Sequence, residues 1–106
     1  MKSQDDLMEY EELEKLVINW GEAKGLMSPD NCRNQLLKFY EEAGELARAE
    51  LKNDAELIVD ALGDVMVTLI LYSKQKGYPL MSCLQSAWYE IKDRTGKLEN
   101  GTFIKG

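Results

Sequence analysis

"AELIVDALGDVMVTLILY", residues 55–72, decides how this chain folds. Apolar residues surround the whole segment, which is the signature of a helix buried on more than one side. Its interior is interrupted by Asp60, Asp64 and Thr68. At i, i+4 and i+8 these form one narrow polar stripe. A buried carboxylate without a partner is costly, and it either protonates or acquires one. No basic residue lies within the stripe, so the partner must come from elsewhere.

Local signals set the limits of this helix and of three others. Asp54 can cap it and Gly77 can end it. Before it, Ser28 and Pro29 stand where an N-cap and a first helical residue belong, opening a second helix that runs to about Lys52. Ser3 can cap a first helix carrying Leu7, Met8, Leu13, Leu16, Val17 and Trp20 at helical spacing, with Gly25 as its stop. Pro79 starts a fourth, through Trp88 and Ile91, to about Thr95. Asn100-Gly101, between short alternating flanks, predicts a hairpin in the basic tail, residues 95–106. Short connections favour antiparallel neighbours. The expectation is an all-α fold, a four-helix antiparallel bundle with a short C-terminal hairpin-like tail, in one domain over residues 1–106.

The chain has 106 residues, 44% hydrophobic and 30% charged, an ordinary globular balance. A chain of this size hides only about 60–65% of its unfolded surface when it folds alone. A third helix that is apolar on nearly every side cannot be covered by three others without leaving a large patch, so a homodimer or homotetramer is expected. The net charge of −6 argues against nucleic acid as a partner. With no apolar run of spanning length and no signal-peptide pattern at the start, the chain reads as cytoplasmic, with no membrane partner. Cys32 and Cys83 lie far apart in a chain without histidine, so a Cys/His zinc site is excluded and both are expected as reduced core residues. A general base would have to be a carboxylate, or failing that Lys or Tyr.

Carboxylates are plentiful just ahead of the third helix. In "EEAGELARAE", residues 41–50, Glu42 and Glu45 share a helix face and Glu41 reaches Glu45 by the i, i+4 relation. Like charges so placed cost a few tenths of a kcal/mol even when exposed. A solvated acidic face is the bland account. Antiparallel packing of the second and third helices would set Glu42 and Glu45 opposite Asp60 and Asp64, a donor set of oxygens that suits Mg²⁺ or Mn²⁺. A metal held this way, keeping several waters, most often meets phosphates.

These residues resemble the MazG-like branch of the all-α nucleoside triphosphate pyrophosphohydrolases, whose motif is EExxE followed on the next helix by ExxD. The resemblance runs over most of the chain: "INWGEAKGL" (18–26) and "QLLKFYEE" (35–42) ahead of the acids, and "AWYEIKDRTGKLENGTFIKG" (87–106) behind them, look like the small single-domain members common in phages and bacteria. It implies hydrolysis of a ribo- or deoxyribonucleoside triphosphate to the monophosphate and pyrophosphate, with Mg²⁺ as cofactor. Glu42, Glu45 and Asp64 match the family's metal ligands, and Glu41 matches a residue that binds metal or orients the attacking water. Glu41 and Glu45 are the candidate proton acceptors. Two positions depart from the pattern. Ala61 stands where the first acid of ExxD belongs, with Asp60 as its expected substitute, and Tyr89 replaces an Asn.

Positive and aromatic residues complete the candidate substrate contacts: Lys92, Arg94 and Lys97 for phosphate, Trp20 for stacking on a base, and Gln35 and Lys38 for base or phosphate. The competing reading is a non-catalytic helical oligomer, a nucleotide-binding or protein-interaction module; Ala61 is its best argument. Phosphoribosyl-ATP pyrophosphohydrolase ranks below both, because "DALGD" and "IKDRTGK" look more like the MazG-like group.

Overall fold

A computed structural model describes residues 7–106. Four α-helices follow in order, α1 (Tyr10–Ala23), α2 (Cys32–Leu51), α3 (Ala55–Lys76) and α4 (Leu80–Ile91), and a β-hairpin, β1 (Gly96–Glu99) and β2 (Thr102–Lys105), closes the chain. The fold is all-α with a short C-terminal hairpin, as the sequence pattern leads one to expect.

Most of the local signals act as their chemistry dictates. The Asp54 carboxylate accepts from the Leu57 backbone N–H at 3.2 Å and caps α3. Gly77 ends that helix at φ 79°, in the left-handed region a side chain disfavours. Asn100 and Gly101 both take positive φ, the conformation a two-residue hairpin turn requires, and Leu98 pairs with Phe103 across it. Four expectations need correction. Ser3 lies outside the described residues, and α1 begins only at Tyr10, so Leu7 and Met8 precede the helix. The Ser28 hydroxyl donates to the Asp30 carboxylate instead of capping the backbone. Pro29–Asn31 form a 3₁₀ turn, so α2 proper starts at Cys32. Cys83 is exposed and Cys32 only half-buried, so neither is a core residue.

Packing centres on α2 and α3, which run antiparallel across the Lys52–Asp54 turn, with Asn53 in the left-handed region at φ 54°. The buried apolar residues are few: Ala49 on α2, and Ala61, Ile70 and Leu71 on α3. Helix α1 lies on the C-terminal half of α3 at a close approach. A Cβ built on the buried Gly21 would stand 2.7 Å from Leu71 Cδ2. Leu71 is 1% exposed and cannot yield. The Gln75 side-chain amide ties the α1–α2 connection to α3 by donating to the Leu26 and Ser28 carbonyls at 3.1 and 2.9 Å.

Among the described residues helix α4 packs chiefly against α3, and none of its own residues is buried. Met81, Leu84, Trp88 and Ile91 all stand exposed on it, as do Leu98, Phe103 and Ile104 on the hairpin. The N-terminal half of α3 is open too, with Val59, Leu62 and Met66 in solvent. The polar stripe is therefore not buried as its surroundings suggest: Asp60 and Asp64 are exposed, and only Thr68 is buried. The hydroxyl of Thr68 is satisfied within its own helix by the Val65 carbonyl at 2.7 Å. The radius of gyration, 16.4 Å, exceeds the roughly 13 Å of a compact chain this long.

The α1–α3 contact makes a clear prediction. Gly21→Ala should lower stability by about 1–3 kcal/mol in denaturant unfolding despite the better helix propensity of Ala. Gly44→Ala on α2, where the nearest atom would be Arg48 Nη1 at 3.7 Å, should be neutral or stabilise by up to about 1 kcal/mol. Equal effects of the two would show that α1 does not seat on Leu71.

Candidate metal centre

Three glutamates on two turns of α2 converge. Glu41, Glu42 and Glu45 each offer a carboxylate oxygen, and the three oxygens lie within 4.8 Å of one another. Helical spacing alone accounts for this, since positions one, three and four apart fall on adjoining strips of one face. What distinguishes the cluster is Glu42. The residue is 7% exposed, and its Oε2 is buried without a hydrogen-bond partner among the described residues. Burial pushes its carboxyl pKa up, and the Glu45 and Asp64 carboxylates add to the rise.

Lys38, one turn earlier, leans onto the same acids, with Nζ 3.0 Å from Glu41 Oε1 and 3.5 Å from Glu42 Oε1. These bonds raise the Lys38 ammonium above its ordinary pKa, with the Glu41 contact the main cause. The ammonium marks where positive charge is wanted, yet it reaches only one oxygen of Glu42. The orphaned oxygen, the all-carboxylate donor set and Asp64 on the facing helix fit a hard divalent cation.

Asp64 lies close enough across the helix pair to raise the Glu42 pKa, but neither it nor Asp60 enters the glutamate cluster. Asp60 is exposed and lines a cleft of about 260 Å³ with Glu45, Arg48, Ala49, Lys52, Leu57, Ala61 and Asp64. Ala61 itself is buried at 5% exposure. A second cavity, about 520 Å³, opens on the other side of Asp64, between Trp20, Leu26 and Leu71. Asn31, Asn34, Gln35, Lys38, Glu42 and Thr68 supply its polar lining. Gln35 is 7% exposed, and no hydrogen bond to its side-chain amide is present among the described residues. The structure thus brings Trp20, Gln35 and Lys38 together beside Glu42 and Asp64.

The tail cations are elsewhere. Lys92 pairs with Asp93 at 3.0 Å, Arg94 with Glu90 at 3.1 Å and Lys97 with Glu99 at 3.3 Å, each a local contact. None of them lines either cavity beside the acids. Within one chain the basic tail therefore does not line the cavities beside the carboxylates, which agrees with the expectation that the tail of one subunit would serve the acids of another. Sequence reasoning also missed Asn31, Asn34, Arg48 and Lys52. Helical spacing held the signal: Asn34 is four residues before Lys38, and Arg48 three after Glu45.

The raised pKa of Glu42 fixes the sign of a pH effect. An acid whose folded pKa lies above its unfolded value favours the folded state while protonated, and that stability is lost as pH rises through the folded pKa. Without divalent cations, the melting temperature should therefore rise as pH falls from neutrality toward the ordinary carboxylate range. Glu42→Gln should flatten that slope. Mg²⁺ should stabilise the wild type more at pH 8 than at pH 5, and scanning calorimetry with and without Mg²⁺ checks both statements.

Sequence comparison finds similarity to an uncharacterized 18.2 kDa protein in the rep-hol intergenic region of Haemophilus phage HP1 (strain HP1c1), 30% identical over 69 residues. The match takes in 65% of this chain and 42% of the phage protein, so the chain spans less than half of that relative's length. No protein-family model matches the chain. No solved structure matches it either. Among the described residues, no helix is long and apolar enough to cross a membrane.

Proposed function

We propose that this chain is a Mg²⁺-dependent nucleoside triphosphate pyrophosphohydrolase of the MazG-like all-α kind, cytoplasmic, converting an NTP or dNTP to the monophosphate and pyrophosphate. The observation that carries the reading is the convergence of Glu41, Glu42 and Glu45 around a buried, unpartnered Glu42 oxygen, with Asp64 opposite. Glu42, Glu45 and Asp64 would hold the ion, Mg²⁺ or in its place Mn²⁺. A bound ion of this kind neutralises triphosphate charge and fixes the oxygens around the reacting phosphorus.

The remaining work falls to the chain's own groups. Glu41 or Glu45 takes the proton of the attacking water, as histidine is absent. Lys38 is free to turn from Glu41 and Glu42 to a phosphate oxygen once the acids have another cation. Trp20 and the unpaired amide of Gln35, in the 520 Å³ cavity, offer a stacking face and a hydrogen-bonding edge to a nucleobase. A second copy of the chain covers the apolar surface of α4, the hairpin and the open half of α3. The homodimer or homotetramer so formed is also how Lys92, Arg94 and Lys97 would meet acids.

One observation favours the alternative, a non-catalytic helical oligomer serving as a nucleotide-binding or protein-interaction module. Ala61 is buried where the resembling family has an acid, and Asp60 lies outside the glutamate cluster. Incubation with a panel of nucleoside triphosphates and Mg²⁺ separates the two readings. The enzyme should release a monophosphate and pyrophosphate from at least one of them. Glu42→Gln or Glu45→Gln should cut turnover by about a hundredfold or more, the scale of losing an electrostatic or acid–base contribution. Folded protein with no turnover of any triphosphate would leave the module.

The subunit arrangement has its own test. Light scattering at micromolar concentration should give at least twice the 12.1 kDa of one chain. Trp88→Glu should shift the protein toward monomer, because a charge there would be buried unpaired. A stable monomer of the wild type would sink the proposed second copy.

A further inference from the structure

We infer that the cleft between the last turns of α2 and the first half of α3 is a phosphate subsite, in which Arg48 and Lys52 hold the terminal phosphates of a nucleoside triphosphate. The inference rests on hydrolysis at the glutamate cluster, as proposed above.

The cleft holds about 260 Å³ and shares Glu45 and Asp64 with the metal centre. Its small residues are Ala49 and Ala61, both buried, whose methyl groups leave the space open. An acid at position 61 would place another negative charge here. Its absence makes the cleft more hospitable to an anion. Arg48 folds back along α2 over Gly44, with Nη1 3.7 Å from where a Gly44 Cβ would stand, which brings the guanidinium toward the level of the acids. Neither Arg48 nor Lys52 forms an ion pair among the described residues, although Glu45, Asp60 and Asp64 line the same cleft. The cations expected from the sequence are, by contrast, all paired locally. Cations in a last helical turn complement the helix dipole. That accounts for their presence on α2 but not for an unfilled cleft between them and α3.

Guanidinium and ammonium groups are the side chains that grip phosphate, Arg through a two-pronged fork. Asp64 lines both this cleft and the cavity of Trp20 and Gln35. A nucleotide laid across Asp64 then has its base at one end and its phosphate tail at the other. The phosphorus beside the acids is the one joining the nucleoside to that tail. Water oxygen bonds to it, the bond to the bridging oxygen of the β-phosphate breaks, and pyrophosphate leaves with the electron pair while a carboxylate takes the water proton. With the carboxylates of the cleft offset by a bound metal ion, Arg48 and Lys52 would thus also favour triphosphates, whose tail reaches them, over monophosphates.

The test compares wild type with Arg48→Gln, Lys52→Gln and the double variant, reading inhibition by inorganic pyrophosphate with Mg²⁺, the KM for triphosphate, and the Mg²⁺-induced rise in melting temperature. Each single change should weaken pyrophosphate inhibition and raise KM about tenfold, the scale of one charge-assisted hydrogen bond. Inhibition by the nucleoside monophosphate and the Mg²⁺ response should stay unchanged, and Arg48→Lys should recover part of the loss. Ala61→Glu should weaken pyrophosphate inhibition as well. Intact hydrolysis with unaltered pyrophosphate inhibition in the double variant overturns the subsite and leaves the hydrolase standing. Loss of the Mg²⁺ response together with pyrophosphate binding makes the two residues structural and overturns it too. A wild type that neither hydrolyses triphosphates nor binds pyrophosphate with Mg²⁺ overturns both.

Discussion

A buried carboxylate oxygen with nothing to bond is the constraint around which this molecule is arranged. Glu42 sits between α2 and α3 with Oε2 orphaned, and the Glu45 and Asp64 carboxylates raise its proton affinity further. Among the described residues nothing offsets this in full. Lys38 supplies one ammonium and reaches Glu42 at 3.5 Å, a longer contact than its 3.0 Å bond to Glu41. Leaving such a group unsatisfied costs on the order of 1–3 kcal/mol, or more for a charge. A fold of this size has few kcal/mol to spare. On the proposed function a divalent cation relieves that load, and the oxygen-only donor set is of the kind such an ion takes.

Local chemistry was legible in the sequence because each signal acts within a few residues. Asp54 reaches Leu57, Gly77 supplies a left-handed residue, and Asn100-Gly101 turns a hairpin. The convergence of Glu41, Glu42 and Glu45 followed from helical spacing alone, and Trp20, Gln35 and Lys38 do line one cavity. Longer-range placement was not legible in the same way. The apolar surround of α3 was read as burial, yet Asp60, Asp64, Val59 and Leu62 are all exposed, because composition cannot say whether the covering surface comes from the same chain. Lys92, Arg94 and Lys97 follow the acids in sequence, but proximity along the chain says nothing about where α4 carries them.

Ala61 shows how one residue can bear on both the fold and the chemistry. With Ala49 it is among the few buried apolar residues between the central helices, and both line the cleft that holds Arg48 and Lys52. A glutamate there would add a further negative charge to a cleft that already holds Glu45, Asp60 and Asp64 beside Arg48 and Lys52. The small residue gives up a potential metal ligand and in exchange keeps the helices close and the cleft open. On the proposed function, holding the metal would then fall to Glu42, Glu45 and Asp64.

The two cavities beside the acids differ in kind, and the difference carries more information than either alone. One is lined by an indole, aliphatic side chains and carboxamides, groups that meet a neutral ring through stacking and directional hydrogen bonds. The other is smaller and sets Arg48 and Lys52, which form no ion pair among the described residues, beside Glu45, Asp60 and Asp64. The proposed nucleotide would place an aromatic, hydrogen-bonding ring in the first and its phosphates in the second, with its junction against carboxylates. Such a junction is repelled by the acids unless a cation intervenes, so the polarity of the cavities and the orphaned Glu42 oxygen impose the same requirement from opposite directions. An extended acidic surface built only for solubility would need neither the carboxamide-lined hollow nor a buried charge.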